Sequence, residues 1–224
     1  MGLLAKEDWN ADWIGQSKED DKNRESPYLR TDFKLKNGSI STAYIHITAK
    51  GMYEAFINGK RVGDEYLSPG WTSYKERIPY QTFDVKDLLA KNNAIGIVIG
   101  SGWYRGYLAW SDAKDHYGSE IAAKAQLIIT YTDGSTEIIA TNPDWTYTHG
   151  AVVDSEIYNG EWYDGQKHRP DWSNFGFTQT SSKKVTIYPS GKEQLIASRN
   201  EPIRKQENLY SQEKDHNTLW RHGS

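Results

Sequence analysis

None of the 224 residues is cysteine. Disulfides, zinc–thiolate centres and thiol nucleophiles are therefore excluded together, although this absence does not fix a compartment. The chain also lacks any apolar run near the ~20 residues of a membrane-spanning helix. It has no basic block: 27 Lys and Arg stand against 30 Asp and Glu, for a net charge of −3. A nucleic-acid surface needs clustered cations, so neither nucleic acid nor membrane is an expected partner. The opening MGLLAKEDWNADW has neither the positive n-region nor the apolar h-region of a signal peptide. Helical apolar spacing never persists beyond about three turns. No G-x-S-x-G elbow, H-E-x-x-H pair, phosphate-binding P-loop or C-x-x-C is found. The histidines are dispersed, without metal-ligand spacing.

Aromatic residues, by contrast, are plentiful. They make up 13% of a chain that is only 37% hydrophobic, with 9 Trp and 15 Tyr. That balance suits an all-β domain with aromatic-lined loops better than a helical bundle. It also suits carbohydrate contact, in which sugar C–H faces lie on flat rings while neighbouring polar groups meet the hydroxyls. For any single ring, core or cross-strand packing is the commoner role.

Strand signals dominate the chain. Residues Ala43 to Ala49 alternate across a pleat, and Tyr53 to Ile57 follow after Gly51. Asn58-Gly59 is a strong hairpin turn, because both residues adopt positive φ at low cost, and Lys60 to Val62 run back. Thr82 to Val85 lead into a turn-like helical stretch, Asp87 to Ala90, and Ala94 to Ile99 read as a buried strand. Ala123 to Tyr131 and Glu137 to Thr141 form a hairpin about Asp133-Gly134. Further strands are expected at Trp145 to Thr148, Val185 to Tyr188 and Gln194 to Ser198. Many short strands punctuated by Gly, Pro and Asn imply a β-sandwich. Lys18 to Glu25 read as a charged surface loop. No internal repeat or low-complexity stretch is present.

Several phrases are more specific than this pattern: YEAFINGKRVGD (Tyr53 to Asp64), PGWTSYKERIPYQTFDV (Pro69 to Val85) and NNAIGIVIGSGWYRG (Asn92 to Gly106). DWNADWIG near the start, SPYLRTDF at Ser26 to Phe33 and VVDSEIYNGEWYDGQ at Val152 to Gln166 add to them. Together they resemble the N-terminal non-catalytic domain of bacterial alpha-L-rhamnosidases, over roughly Trp9 to Arg204. The resemblance implies an all-β jelly-roll sandwich, galactose-binding-domain-like. It implies a domain over residues 1–205 with a leading segment 1–35, and a linker stub or cloning remnant at 206–224. It also implies a longer parent that removes terminal alpha-L-rhamnose, with inversion, by an acid–base pair on an (α/α)6 barrel. That barrel needs several hundred further residues. The expected partners are therefore L-rhamnose-containing glycosides or polysaccharides and the catalytic domain of the same parent. A periplasmic or secreted location is favoured for that parent, with the cytoplasm as the alternative.

No residue of this segment is expected to be catalytic. Glycoside hydrolysis needs two carboxylates at a set separation, and the nearest approach is the acidic phrase holding Asp154, Glu156, Glu161 and Asp164. Glu161 and Asp164 there read first as structural, with Arg105, Lys167 or Arg169 as counter-ions, and second as sugar or calcium contacts. Gly100-Ser-Gly102 reads as a tight turn beneath a bulky aromatic loop rather than a phosphate cradle. The carbohydrate-binding candidates are Trp71, Trp103, Tyr104, Arg105, Trp110, Asn159, Glu161, Trp162 and Asp164. They combine rings for stacking with charged or amide groups for reading hydroxyls. Some members of the family bind L-rhamnose in such a domain through calcium, which takes six to eight oxygens. Here Asp112, Asp115, Asp154, Asn159, Glu161 and Asp164 could supply some of them, so calcium is the one cofactor the resemblance allows.

Overall fold

The computed structural model describes residues 4–108 and 113–209. In chain order its strands are β1 (Trp13–Gly15), β2 (Pro27–Lys34), β3 (Ile40–Lys50), β4 (Met52–Ile57), β5 (Lys60–Arg61) and β6 (Glu65–Tyr66). β7 (Arg77–Asp84), β8 (Asn92–Gly100), β9 (Ala122–Tyr131), β10 (Thr136–Ala140) and β11 (Thr146–His149) follow. The last are β12 (Val152–Glu156), β13 (Gly160–Tyr163), β14 (Lys183–Lys184), β15 (Thr186–Tyr188), β16 (Gln194–Ala197) and β17 (Ile203–Arg204). One α-helical turn, α1, spans Gly102–Arg105.

A seven-stranded sheet runs β15-β1-β9-β3-β7-β16, with β10 also paired to β9. A six-stranded sheet runs β14-β11-β2-β8-β4-β5. Their facing sides form one core, in which Ile45, Ile47, Leu127 and Ile129 of the first sheet join Leu29, Ile57, Ile95 and Ile97 of the second. The β-sandwich expected from the sequence is thus the fold observed. Period-two alternation is visible directly in β4: Tyr53, Ala55 and Ile57 are buried while Met52, Glu54 and Phe56 face away from the core. Each turned-in aliphatic side chain contributes about 1.5–3 kcal/mol of burial.

Several expectations are refined. The helical stretch at Asp87 to Ala90 is a single 3-10 turn at Lys86–Leu88, too short to add a packing face. Gly100-Ser-Gly102 leads not into a loop but into α1, and Gly102 takes φ +52° at its start. Lys18 to Glu25 lies at the surface as expected, but Asp20–Asn23 form a 3-10 turn anchored to the domain by Arg105 and Arg24. The acidic phrase is not a plain loop either. β12 and β13 pair as a separate hairpin around the Asn159-Gly160 turn, with a register shift between Val152 and Asp154. Most of the expected tail, 210–224, lies outside the described residues.

Candidate functional site

The outward faces of β2, β4 and β8 form the floor of a cleft of about 700 Å³. Three aromatic side chains organise this floor. Trp172 stands edge-on to Tyr28, with centroids 4.9 Å apart, and to Phe56 at 5.5 Å. It also lies over Gly96, where an added Cβ would meet the indole at 2.5 Å. Only a glycine in β8 lets the loop carrying Trp172 settle this close to the sheet. Arg30 pins the same loop by donating from Nε to the carbonyl of Trp172 at 3.1 Å and from Nη2 to that of Asn174 at 2.9 Å. The β12–β13 hairpin forms another wall, where Ser155 packs against Gly100 and the carbonyl of Ser155 accepts from the Ser101 amide at 3.1 Å.

Three carboxylates belong to this cleft. Glu54 projects from β4 and Glu161 from β13. Glu156, at 6% exposure, ends β12 with its Oε2 accepting from the Tyr107 amide at 2.9 Å. Desolvation pushes the Glu156 carboxyl above the usual range against that hydrogen bond. Glu161 is raised as well, first by desolvation and then by the charge of Glu54. Lys167, His168 and Arg169 also line the cleft. Lys167 is paired with Glu25 at 3.1 Å, and the His168 ring bonds to the Tyr163 hydroxyl at 2.5 Å.

The candidates named from sequence fall in different places. Trp103 and Glu161 line the cleft. Trp71, 57% exposed, stacks parallel on Trp103 with centroids 6.4 Å apart and donates to the Tyr117 hydroxyl at 3.1 Å. Trp71 itself opens onto a second depression, of about 970 Å³, beside β16. Trp162, 70% exposed, and Asp164 border a shallower depression near the hairpin. Asn159 is exposed at the hairpin turn. Tyr104 is turned into the core, and burial raises its hydroxyl to about 12. Trp110 lies outside the described residues.

Arg105 is fully buried. Its Nη1 binds Asp21 at 2.5 and 2.7 Å, Nε donates to Ser101 Oγ at 2.9 Å, and Nη2 donates to the carbonyl of Arg24 at 3.0 Å. In this position it holds the leading segment on the domain. The expected ion partners of the acidic phrase are otherwise engaged: Arg105 takes Asp21, Lys167 takes Glu25, and Arg169 donates to the carbonyls of Gln166 and His168. Asp164 caps the following 3-10 turn by accepting from the Gln166 amide at 3.0 Å. As for calcium, no three His, Asp or Glu side chains gather in metal-holding geometry among the described residues. Asp115 is tied to Arg24 at 2.8 Å, and Asp112 lies outside the described residues. The described donors do not fit a carboxylate-built calcium site.

Sequence reasoning passed over Tyr28, Glu54, Phe56 and Trp172 as site residues, and named Glu156 only as part of the acidic phrase. The alternation in β4 was the available signal for Glu54 and Phe56: a carboxylate and an aromatic share the face opposite Tyr53, Ala55 and Ile57. Nothing in the local sequence marks Trp172 as a partner of Tyr28, since 144 positions separate them.

Fold and site define a class: an all-β sandwich domain with an aromatic-floored, carboxylate-walled cleft on one sheet. Comparison with known proteins identifies the family. The model of the alpha-L-rhamnosidase N-terminal domain matches residues 38–207, and the chain belongs to that family. It is similar to an alpha-L-rhamnosidase of Streptomyces avermitilis, 36% identical over 178 residues that cover 79% of this chain and 17% of the relative. It is likewise similar to one of Formosa agariphila, 36% identical over 201 residues that cover 84% and 21%. Among solved structures, the native alpha-L-rhamnosidase of Aspergillus terreus superposes with a TM-score of 0.85 at 36% identity, covering 91% of this chain and 24% of that one. The Streptomyces avermitilis enzyme complexed with L-rhamnose gives 0.78 at 34% identity, covering 82% and 18%. The chain thus spans about a fifth of the length of the curated relatives it matches.

Proposed function

We propose that this chain is the accessory N-terminal domain of an alpha-L-rhamnosidase. In this reading the parent hydrolyses terminal alpha-L-rhamnose from glycosides or polysaccharides with inversion, using a catalytic (α/α)6 barrel elsewhere in its length. The domain packs against the rest of the enzyme and assists substrate recognition. The observation that carries the reading is the family match across residues 38–207 in a chain covering only 17% to 21% of such enzymes. The residues themselves agree with it. Glu156 is buried at 6% exposure with Oε2 on the Tyr107 amide, and Asp164 caps a 3-10 turn, so both side chains serve the domain's own structure.

A second reading, an autonomous carbohydrate-binding module for L-rhamnose, draws on the aromatic-floored cleft and the exposed Trp71 and Trp162. Two measurements on the 224-residue chain test both readings. With p-nitrophenyl alpha-L-rhamnopyranoside, the chain is expected to release no nitrophenol above background. Hydrolysis that co-purifies with the chain and disappears in Glu161→Gln would sink the accessory reading. Calorimetric titration with L-rhamnose, with calcium and then with excess chelator, separates the module from the scaffold. Heat of binding supports the module, and its loss on chelation would place a calcium ion in the site. No heat at millimolar sugar leaves the domain as a scaffold.

A further inference from the structure

We propose that the cleft on the outer face of the six-stranded sheet is a groove for a run of linked neutral sugars, held by the aromatic floor and by the Glu54 and Glu161 carboxylates. The proposal rests on the carbohydrate-recognising reading above and assigns the recognition to a place other than the exposed loop aromatics. Size is the first argument. About 700 Å³ lies well inside the range of about 300–1,000 Å³ for pockets that enclose whole small ligands, and is more than a single pyranose fills. The floor is the second. Phe56 and Trp172, half-buried and edge-on to each other with Tyr28 beside them, give the floor an apolar aromatic lining against which the C–H faces of sugar rings can pack.

Charge is the third argument. Glu161 has no cationic partner among the described residues, and Glu156, more than nine-tenths buried, spends only Oε2 on the Tyr107 amide. Carboxylates accept only, so the complementary ligand must donate. Lys167 and Arg169 on the same cleft weigh against a cationic ligand, while the three glutamates weigh against an anionic one. A neutral polyhydroxylated ligand offers donors and acceptors together. Position rules out one binding mode, strand addition. The cleft lies over the face of β2, β4 and β8, and β2 and β8 are paired on both sides. A peptide therefore finds no free central-strand backbone there to extend.

The test is calorimetric titration of the 224-residue chain with L-rhamnose and with alpha-linked rhamno-oligosaccharides of two and four units. Affinity is expected to rise at least about tenfold from the monosaccharide to the tetrasaccharide. Glu54→Gln and Glu161→Gln, both on solvent-reaching side chains, are each expected to weaken the tetrasaccharide about fivefold by removing charge-assisted acceptance, with the melting temperature unchanged. Affinity independent of length, or loss of binding in Trp71→Ala with both Gln variants unaffected, would place the sugar at the loops and overturn the proposal. So would failure of every sugar to bind, which would assign the cleft to a polypeptide neighbour. The accessory-domain reading fails separately, through hydrolysis by the chain itself.

Discussion

Arg105 is the residue whose environment departs furthest from its chemistry. A guanidinium with no exposed surface is stable only because each of its three nitrogens faces a fixed acceptor: Asp21, Ser101 Oγ and the carbonyl of Arg24. Arg24 answers by donating to the carbonyl of Arg105 at 2.6 Å and pairing with Asp115. Removing one partner of such a pair leaves a buried charge uncompensated. Arg105→Ala is therefore expected to lower stability by about 3–5 kcal/mol, read by chemical denaturation. Arg105→Lys should not restore it, because a point ammonium cannot meet three separated acceptors. A loss below about 1 kcal/mol would show that the leading segment is held by other contacts.

His46 adds a pH dependence at the same scale. It is 4% exposed, bonds through Nδ1 to Thr82 Oγ1 at 2.8 Å, and stands edge-on to Trp9 and Tyr80. Desolvation lowers its pKa below 6.5, so the folded protein holds its proton more weakly than the unfolded chain. The stability this contributes is full above the unfolded value of about 6.5 and is lost as pH falls through the depressed folded value. His149 is lowered in the same direction, again chiefly by desolvation. Thermal melts are expected to show a lower midpoint at pH 5.5 than at 7.5, with a smaller difference in His46→Gln. Equal differences in the two proteins would remove His46 as the cause.

Among the elements, the β4–β5 hairpin was the most legible. Asn58 and Gly59 both take positive φ, +52° and +78°, as the Asn-Gly pair announces. The Asn58 side chain adds what the turn rule does not. Its Nδ2 donates to the carbonyl of Leu88 and to Asn93 Oδ1, and its Oδ1 accepts from the Ala94 amide. A local turn signal thus becomes a tertiary clamp on β8. Gly59→Ala is expected to cost about 1–2 kcal/mol from backbone strain, and more because its Cβ would fall 2.4 Å from Asn174 Oδ1. A midpoint fall of a few degrees in thermal unfolding checks this, at about 2–4 °C per kcal/mol for a chain of this length. An unchanged midpoint would mean that the turn relaxes freely. The β12–β13 hairpin was the least legible element. Asn159-Gly160 signals its turn, but GEWY carries no apolar alternation, since all four residues of β13 are exposed. It is held as a flap by its pairing and by Asp164, whose amide donates to the carbonyl of Ala151 at 2.8 Å.

At the scale of the molecule, the sheets sort residues that sequence distance keeps apart. The core unites Trp13, Trp145 and Val185, and β1 reaches β15 with Trp13 opposite Tyr188. The leading and late segments therefore belong to the same sandwich as the middle phrases that carry the family resemblance. The proposed division of labour, with recognition in this domain and chemistry in the remainder of a longer enzyme, is a whole-molecule statement. Its measurements are accordingly made on the whole 224-residue chain.

The fold class, most strands, the Asn58-Gly59 turn and the family can be read from the amino-acid chain alone. Each of these is written in local periodicity, turn chemistry or contiguous phrases. The sequence singled out Trp71, Trp103, Glu161 and Trp162 because aromatic and acidic residues in loops are locally conspicuous. Folding in three dimensions is what turns Arg105 and Tyr104 inward and sets Trp71 and Trp162 over separate depressions. It alone gathered Tyr28, Glu54, Phe56 and Trp172 around one cleft. The physical reason is that burial and proximity depend on which strands pair and which loop crosses which face. Those choices minimise the free energy of the whole sandwich and leave no mark on any one segment.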